Sequence, residues 1–237
     1  MQIDISKASS DFLRCEYVAV GGEKLKASHS RELTAAYFGY NTHAALLAEK
    51  NYPLQRLGKA DVLVPNIGLI DQRRKALAGL PADLFPSHEL ATKISSFLQA
   101  QGYFGGKVWL YESLETYVME VLLIEEDARI LDELAGVMTE TNANFDKDFG
   151  SYEAAELIED DDSVRLEVEG QYHGSADPER PFCGDQIDLT VTVNFLRVAG
   201  RVAFAYPHIS ASGTVNDDWV DPELKSGNAS ATTSNFE

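Results

Sequence analysis

The chain has 237 residues, 38 acidic against 20 basic, for a formal charge of −18. That length buries a sizeable core without staples, and two cysteines, Cys15 and Cys183, are too few for a disulfide framework. No apolar run approaches the roughly 20 residues that cross a bilayer, and none at the start has signal-peptide length. The expected setting is therefore the reducing cytoplasm, away from membrane.

The charge is uneven. Residues 1–60 carry 8 basic and 6 acidic side chains, residues 61–150 carry 7 and 15, and residues 151–237 carry 5 and 17. Everything after residue 60 should repel phosphates, so direct nucleic-acid binding is left only to the near-neutral start.

In chain order, residues 23–50 form the clearest local unit. Ser28 or Ser30 can cap a helix with Leu33, Ala36 and Tyr37 at helical spacing. Gly39 breaks it, since glycine enters the left-handed region without steric cost. Asn41 or Thr42 then caps a second helix through Ala44–Ala48, giving a helical hairpin of helix-turn-helix appearance. A short β-like run, Val62-Leu63-Val64, lies between Pro53 and Pro65. A short helix is expected around Ile70–Leu80, and another is expected to be capped by Ser87, with Leu90, Ile94, Phe97 and Leu98 as its buried stripe and Gly102 as its end. Lys107–Tyr111 reads as strand, Leu114–Ile124 fits helix or strand, and residues 127–142 read as helix.

The texture then changes. Glu159, Asp160, Asp161 and Asp162 make an acidic turn or linker. Val164, Leu166 and Val168 alternate with polar residues, as do Ile187, Leu189, Val191, Val193 and Phe195, the pattern of half-buried strands. Ala199-Gly200 turns the second run into Val202–Tyr206 as a hairpin. The fold class expected is α+β: a helical region over residues 1–150, a small antiparallel β domain over 151–225, and a disordered tail over 226–237, too polar to pack.

The segment SHSRELTAAYFGYNTHAALLA resembles a short helical module of uncharacterised bacterial proteins, some labelled glyoxalase-superfamily. The shared positions are Ser28, His29, Ser30, Leu33, Ala36, Gly39, Tyr40, Asn41 and Leu46; the aromatic that follows the Asn in that pattern is Thr42 here. The resemblance covers about a tenth of the chain. It implies a bacterial, mobile-element setting and no particular activity.

Three kinds of chemistry can be placed on these residues. The first is docking by carboxylates, with Glu159, Asp160, Asp161, Asp162, Glu125 and Glu126 meeting the basic surface of a protein partner, as a nucleic-acid-mimicking inhibitor does. The second is DNA reading by Tyr40, Asn41, Thr42 and His43 at the start of the second helix of the hairpin, although no Arg or Gln stands there for bidentate base contacts. The third is a metal or thiol site in the loop 173–185, where His173, Cys183 and Asp185 are ligand types without a familiar zinc spacing. No phosphate-binding glycine loop is present, and no cofactor is called for. The non-enzymatic docking protein is the preferred reading.

Overall fold

The computed structural model describes residues 4–22, 24–145, 150–176, 178–179 and 184–218. The expected disordered tail, 226–237, and Cys183 lie outside them. The α+β class holds: helices dominate the first half and mostly antiparallel strands the second.

Helix α1 (Ile5–Ala19) is capped by the Asp4 carboxylate, which accepts from Lys7 N at 3.0 Å. Its buried face is Ile5, Ser6, Ser9, Ser10, Leu13 and Tyr17; half of it is serine, small enough for α2 (Ala27–Tyr37) to pack closely against it. Ser10 Oγ donates to Ser6 O at 2.9 Å and lies 3.1 Å from the Thr34 hydroxyl of α2. The cap expected at Ser28 or Ser30 is instead Lys26, which makes no side-chain capping bond, while Ser30 Oγ donates to Ala27 O within the first turn. The α2 exit is as anticipated. Gly39 sits at φ +85°, and the N–H groups of Gly39 and Tyr40 return to Ala36 O and Ala35 O, both at 2.9 Å. Helix α3 (His43–Ala48) is capped by Thr42, whose hydroxyl accepts from Ala45 N.

A 3₁₀ turn (Leu54–Lys59) leads to β1 (Val62–Leu63), then to α4 (Ile67–Ala76), three residues earlier than its pattern suggested because Asn66 caps Leu69 N at 2.8 Å. Helix α5 (Ser87–Ala100) buries Leu90, Ala91, Ile94, Ser95 and Leu98. Pro86, not Ser87, holds its cap position, and the Ser87 hydroxyl donates to Asp71. The expected strand at 107–111 shortens to β2 (Lys107–Val108). The ambiguous stretch is helical: α6 (Leu114–Tyr117), a π turn (Val118–Leu122) and α7 (Leu123–Glu125), followed by α8 (Asp127–Met138).

The remaining strands are β3 (Ala143–Asn144), β4 (Ser151–Glu159), β5 (Ser163–His173), β6 (Ser175–Ala176), β7 (Gln186–Ala199), β8 (Ala203–Phe204) and β9 (His208–Val215). The main sheet runs β2-β1-β8-β7-β5-β4, with β9 also on β7; β3 and β6 make a separate antiparallel pair. β1 is parallel to β2 and antiparallel to β8. In the expected β7–β8 hairpin the register shifts between Arg197 and Ala199, a bulge.

The chain divides into two compact units, and a cut near residue 150 does not coincide with them. One comprises 1–123, 157–166 and 193–208; the other comprises 124–156, 167–192 and 209–237. Strands β4, β5 and β7 contribute to both, so helical and β segments do not separate along the sequence. The core of the first unit joins Leu13 and Tyr17 of α1, Leu33, Tyr37 and Phe38, Ile70 of α4, Leu90, Ile94 and Leu98 of α5, and Ala203 of β8. In the second unit Ile130 and Leu134 of α8 are buried, as are Val168, Tyr172, Ile187, Leu189, Val191 and Ile209. The Tyr172 hydroxyl there donates to Asp127.

A Cβ at Gly39 would stand 2.8 Å from Arg201 Cβ, on backbone that an L side chain rarely adopts. Gly39→Ala should therefore lower the unfolding free energy by about 1–3 kcal/mol in urea titrations. Gly105→Ala, with open space around its Cβ, should stay within about 1 kcal/mol of the parent.

Candidate acidic docking surface

The acidic run forms the tight turn between β4 and β5, closed by Asp160 N donating to Ser163 O at 3.0 Å. Its geometry is set by Arg197. Along β7 this residue continues the every-second-residue series Ile187, Leu189, Val191, Val193 and Phe195. Its side chain is only 8% exposed, and a cation so removed from water needs partners. The turn supplies them. One guanidinium nitrogen donates to the carbonyls of Asp160 (2.8 Å) and Asp161 (3.2 Å), and the other meets Glu159 Oε2 at 3.2 Å. The Arg197 backbone N–H adds a bond to Asp162 O at 3.0 Å.

Asp162 is held by its side chain as well, accepting from the Tyr52 hydroxyl. Tyr52 is itself positioned by Glu49, whose Oε1 accepts from Asn51 N (2.8 Å) and Tyr52 N (3.2 Å) and whose Oε2 accepts from the Tyr40 hydroxyl at 2.9 Å. The Tyr52 carbonyl takes Gly200 N at 2.8 Å. Burial alone would raise the Glu49 carboxyl, but the backbone N–H bonds of Asn51 and Tyr52 and the Tyr40 phenol outweigh it and hold its pKa low. Burial first and the Glu49 bond second push the Tyr40 phenol well above its ordinary value.

The four acidic residues of the turn thus have two kinds of work. Glu159 and Asp162 spend carboxylate oxygens on Arg197 and Tyr52. Asp160 and Asp161 give Arg197 only their carbonyls, and both residues are exposed. The other candidate pair belongs to the second unit: Glu125 ends α7 and Glu126 is the N-cap residue of α8, and both make interactions of their own.

The DNA-reading candidates are placed differently. Tyr40 is 3% exposed, with its phenol on Glu49 and the Arg201 guanidinium 5.5 Å from its ring centroid. Thr42 uses its hydroxyl as the α3 cap. His43 N donates to Glu32, which also pairs with Arg73 at 2.8 Å. Asn41 is exposed. For the metal or thiol candidates, His173 ends β5 exposed, and Asp185 accepts from Gly174 N through its backbone carbonyl at 2.6 Å. Cys183 lies outside the described residues, among which no group of three His, Cys, Asp or Glu side chains is placed to hold a metal. Nor is any helix among the described residues long and apolar enough to cross a membrane.

The sequence reading pointed to none of the surface recesses. The second unit carries a polar cleft of about 460 Å³ lined by Glu153, Glu169, Gln171, Asp188, Thr190 and Ser212, in which both Asp188 oxygens are taken by Gln171 and Asn216 amides. The polar positions of the β7 alternation, Asp188 and Thr190, were its available signal. The first unit carries a smaller recess of about 140 Å³ beside Tyr52.

No protein-family model matches the chain, and comparison with curated proteins and with solved structures gives no match.

Burial first, then the hydrogen bond to Asp162, raises the Tyr52 phenol from 10.0 to about 12. A group whose folded pKa is raised contributes stability that is whole below the unfolded value and lost as pH climbs through the folded one. The tether to Asp162 should therefore be intact to about pH 10 and fade toward pH 12. Difference absorbance titration of the parent against Tyr52→Phe checks this; one phenol titrating near 10 would contradict it.

Proposed function

We propose that this chain is a non-enzymatic binding protein that engages the basic surface of a protein partner through its acidic turn. The observation that carries the reading is the Arg197 clamp, which fixes the backbone of Asp160 and Asp161 while leaving both residues exposed. A ligand-facing element already ordered loses little conformational freedom on binding, so its charge is used on the partner and not on self-organisation. Fixed carboxylates spaced along a turn offer a nucleic-acid-binding protein part of what a phosphate backbone offers it. An inhibitor that occupies such a protein, in the bacterial mobile-element setting that the α2–α3 resemblance implies, is the specific form of the proposal.

The formal charge of −18 favours protein over nucleic acid as the partner. The α2–α3 hairpin offers less as a DNA reader, since two of its four candidate residues spend their hydroxyls inside the fold. A catalytic reading draws on nothing comparable.

Attraction between exposed charges fades as the Debye length falls from about 8 Å at physiological salt to about 3 Å at 1 M. Tagged protein incubated with bacterial lysate should retain a basic nucleic-acid-binding protein after nuclease treatment and release it in high salt. With the retained protein purified, Asp160→Asn/Asp161→Asn should weaken binding about 3- to 10-fold, as for two rim charges. Capture that vanishes with nuclease would transfer the proposal to the α2–α3 hairpin and nucleic acid.

A further inference from the structure

We propose that the open groove along the outer face of α1 is where two copies of this chain associate as a two-fold dimer. The dimer does not depend on the acidic turn and stands or falls separately from it.

Helix α1 carries apolar residues on two faces. One, with Leu13 and Tyr17, builds the core of its unit. The other reads Asp11, Arg14, Cys15, Val18 and Ala19, every third or fourth position, and lines a groove of about 750 Å³. Val18 is 55% exposed and Val20, just past the helix, 60%; Cys15 and Ala19 are exposed as well. Single exposed apolar side chains are ordinary, but a contiguous row of them marks a surface that another surface covers. The far wall of the groove is the return segment 22–25. Gly22 N donates to Tyr17 O at 3.0 Å and Leu25 O accepts from Arg14 Nε at 3.3 Å, which holds the segment back along α1. A Cβ at Gly22 would lie 2.4 Å from Tyr17 Cε2, so the close return requires glycine. The groove is thus built by the chain alone, before anything fills it.

The charges along the groove select a second copy as its occupant. Asp11 stands at one end, its side chain 53% exposed and one oxygen 3.4 Å from Arg14. Lys24, exposed and without an ion pair among the described residues, stands on the return segment between Gly22, bonded to Tyr17, and Leu25, bonded to Arg14. Cys15 lies midway along the stripe from Asp11 to Ala19. When two α1 helices run antiparallel with the two-fold axis at Cys15, the Asp11 end of each stripe meets the half of the other groove that carries Lys24. By symmetry that contact is made twice. A groove with acid toward one end and base toward the other complements its own antiparallel copy, whereas a partner of uniform charge meets a like charge somewhere along it. The same part of the chain is where two molecules of charge −18 repel least: residues 1–60 carry +2 (8 basic, 6 acidic), and the excess acidity follows them in sequence. One groove is a small footprint, so the dimer is weak and concentration-dependent.

The test is sedimentation equilibrium of the full chain in reducing buffer. The mean mass should climb from that of one chain toward that of two between about 5 and 500 μM. Val18→Glu should abolish the rise, and Cys15→Ser should leave the association constant within about threefold of the parent's. Asp11→Lys alone and Lys24→Asp alone should each weaken association about tenfold, because the reversed contact occurs twice. An equimolar mixture of those two variants should associate as the parent does, since every contact across the axis is again between opposite charges. Recovery in the mixture also shows that neither variant had failed to fold. With Cys183→Ser as background, a short bismaleimide should cross-link two chains through Cys15. A single-chain mass at every concentration overturns the proposal. So does association that survives Val18→Glu, or a mixture that stays as weak as its components.

Discussion

A cation taken out of water organises the candidate surface. Arg197 occupies a strand position whose neighbours at every second residue are Val193 and Phe195, and an unpaired charge there would cost several kcal/mol. The strand register shifts between Arg197 and Ala199 at the end of β7, and the β4–β5 turn delivers two carbonyls and one carboxylate to the guanidinium. Take away that convergence and the turn loses the contacts that fix its shape. The acidic run is therefore partly a counterion to the fold: Glu159 is paired with a structural arginine.

A second line of contacts ties the turn to the helices. The Tyr40 hydroxyl, the Glu49 carboxylate, the backbone of Asn51 and Tyr52, and the Tyr52 hydroxyl on Asp162 form one connected series. Each group constrains the next, which is the condition under which a polar network specifies a geometry. The hairpin of α2 and α3, readable as a helix-turn-helix, is in this unit a support: its buried tyrosine ends on the glutamate that sets the loop carrying Tyr52.

Elements whose burial is carried by large apolar residues were legible in the sequence. β7 alternates without error from Ile187 to Phe195, α5 shows its stripe, and Gly39 and Thr42 mark the α2–α3 turn by conformational and capping chemistry. The elements without such a signal were not. Half of the buried face of α1 is serine, invisible to any hydropathy period. β4 has Ala154-Ala155 and Leu157-Ile158 as adjacent pairs in sequence, and β9, between His208 and Val215, holds mostly Ser, Ala, Gly and Thr with Ile209 as its one buried residue. The division into units was hidden for a topological reason, since β4, β5 and β7 belong to both. In the candidate surface, the acidic run stood in plain view, but its anchor did not. Arg197 is 35 residues from Asp162 in sequence, and nothing local marks it as a buried charge.

Acidity that served only to keep the chain soluble would be satisfied by carboxylates on freely moving side chains and backbone, with no arginine beneath them. What surrounds Asp160 and Asp161 is different in kind. A desolvated guanidinium has been committed to holding their peptide groups, while Glu159 and Asp162 on either side are neutralised or tethered. The result is a rigid support under two outward residues. Rigidity of that sort adds nothing to solubility, which depends on net charge. It does lower the entropy lost when a second surface closes over the turn, and that asymmetry favours a docking element over a solvated one.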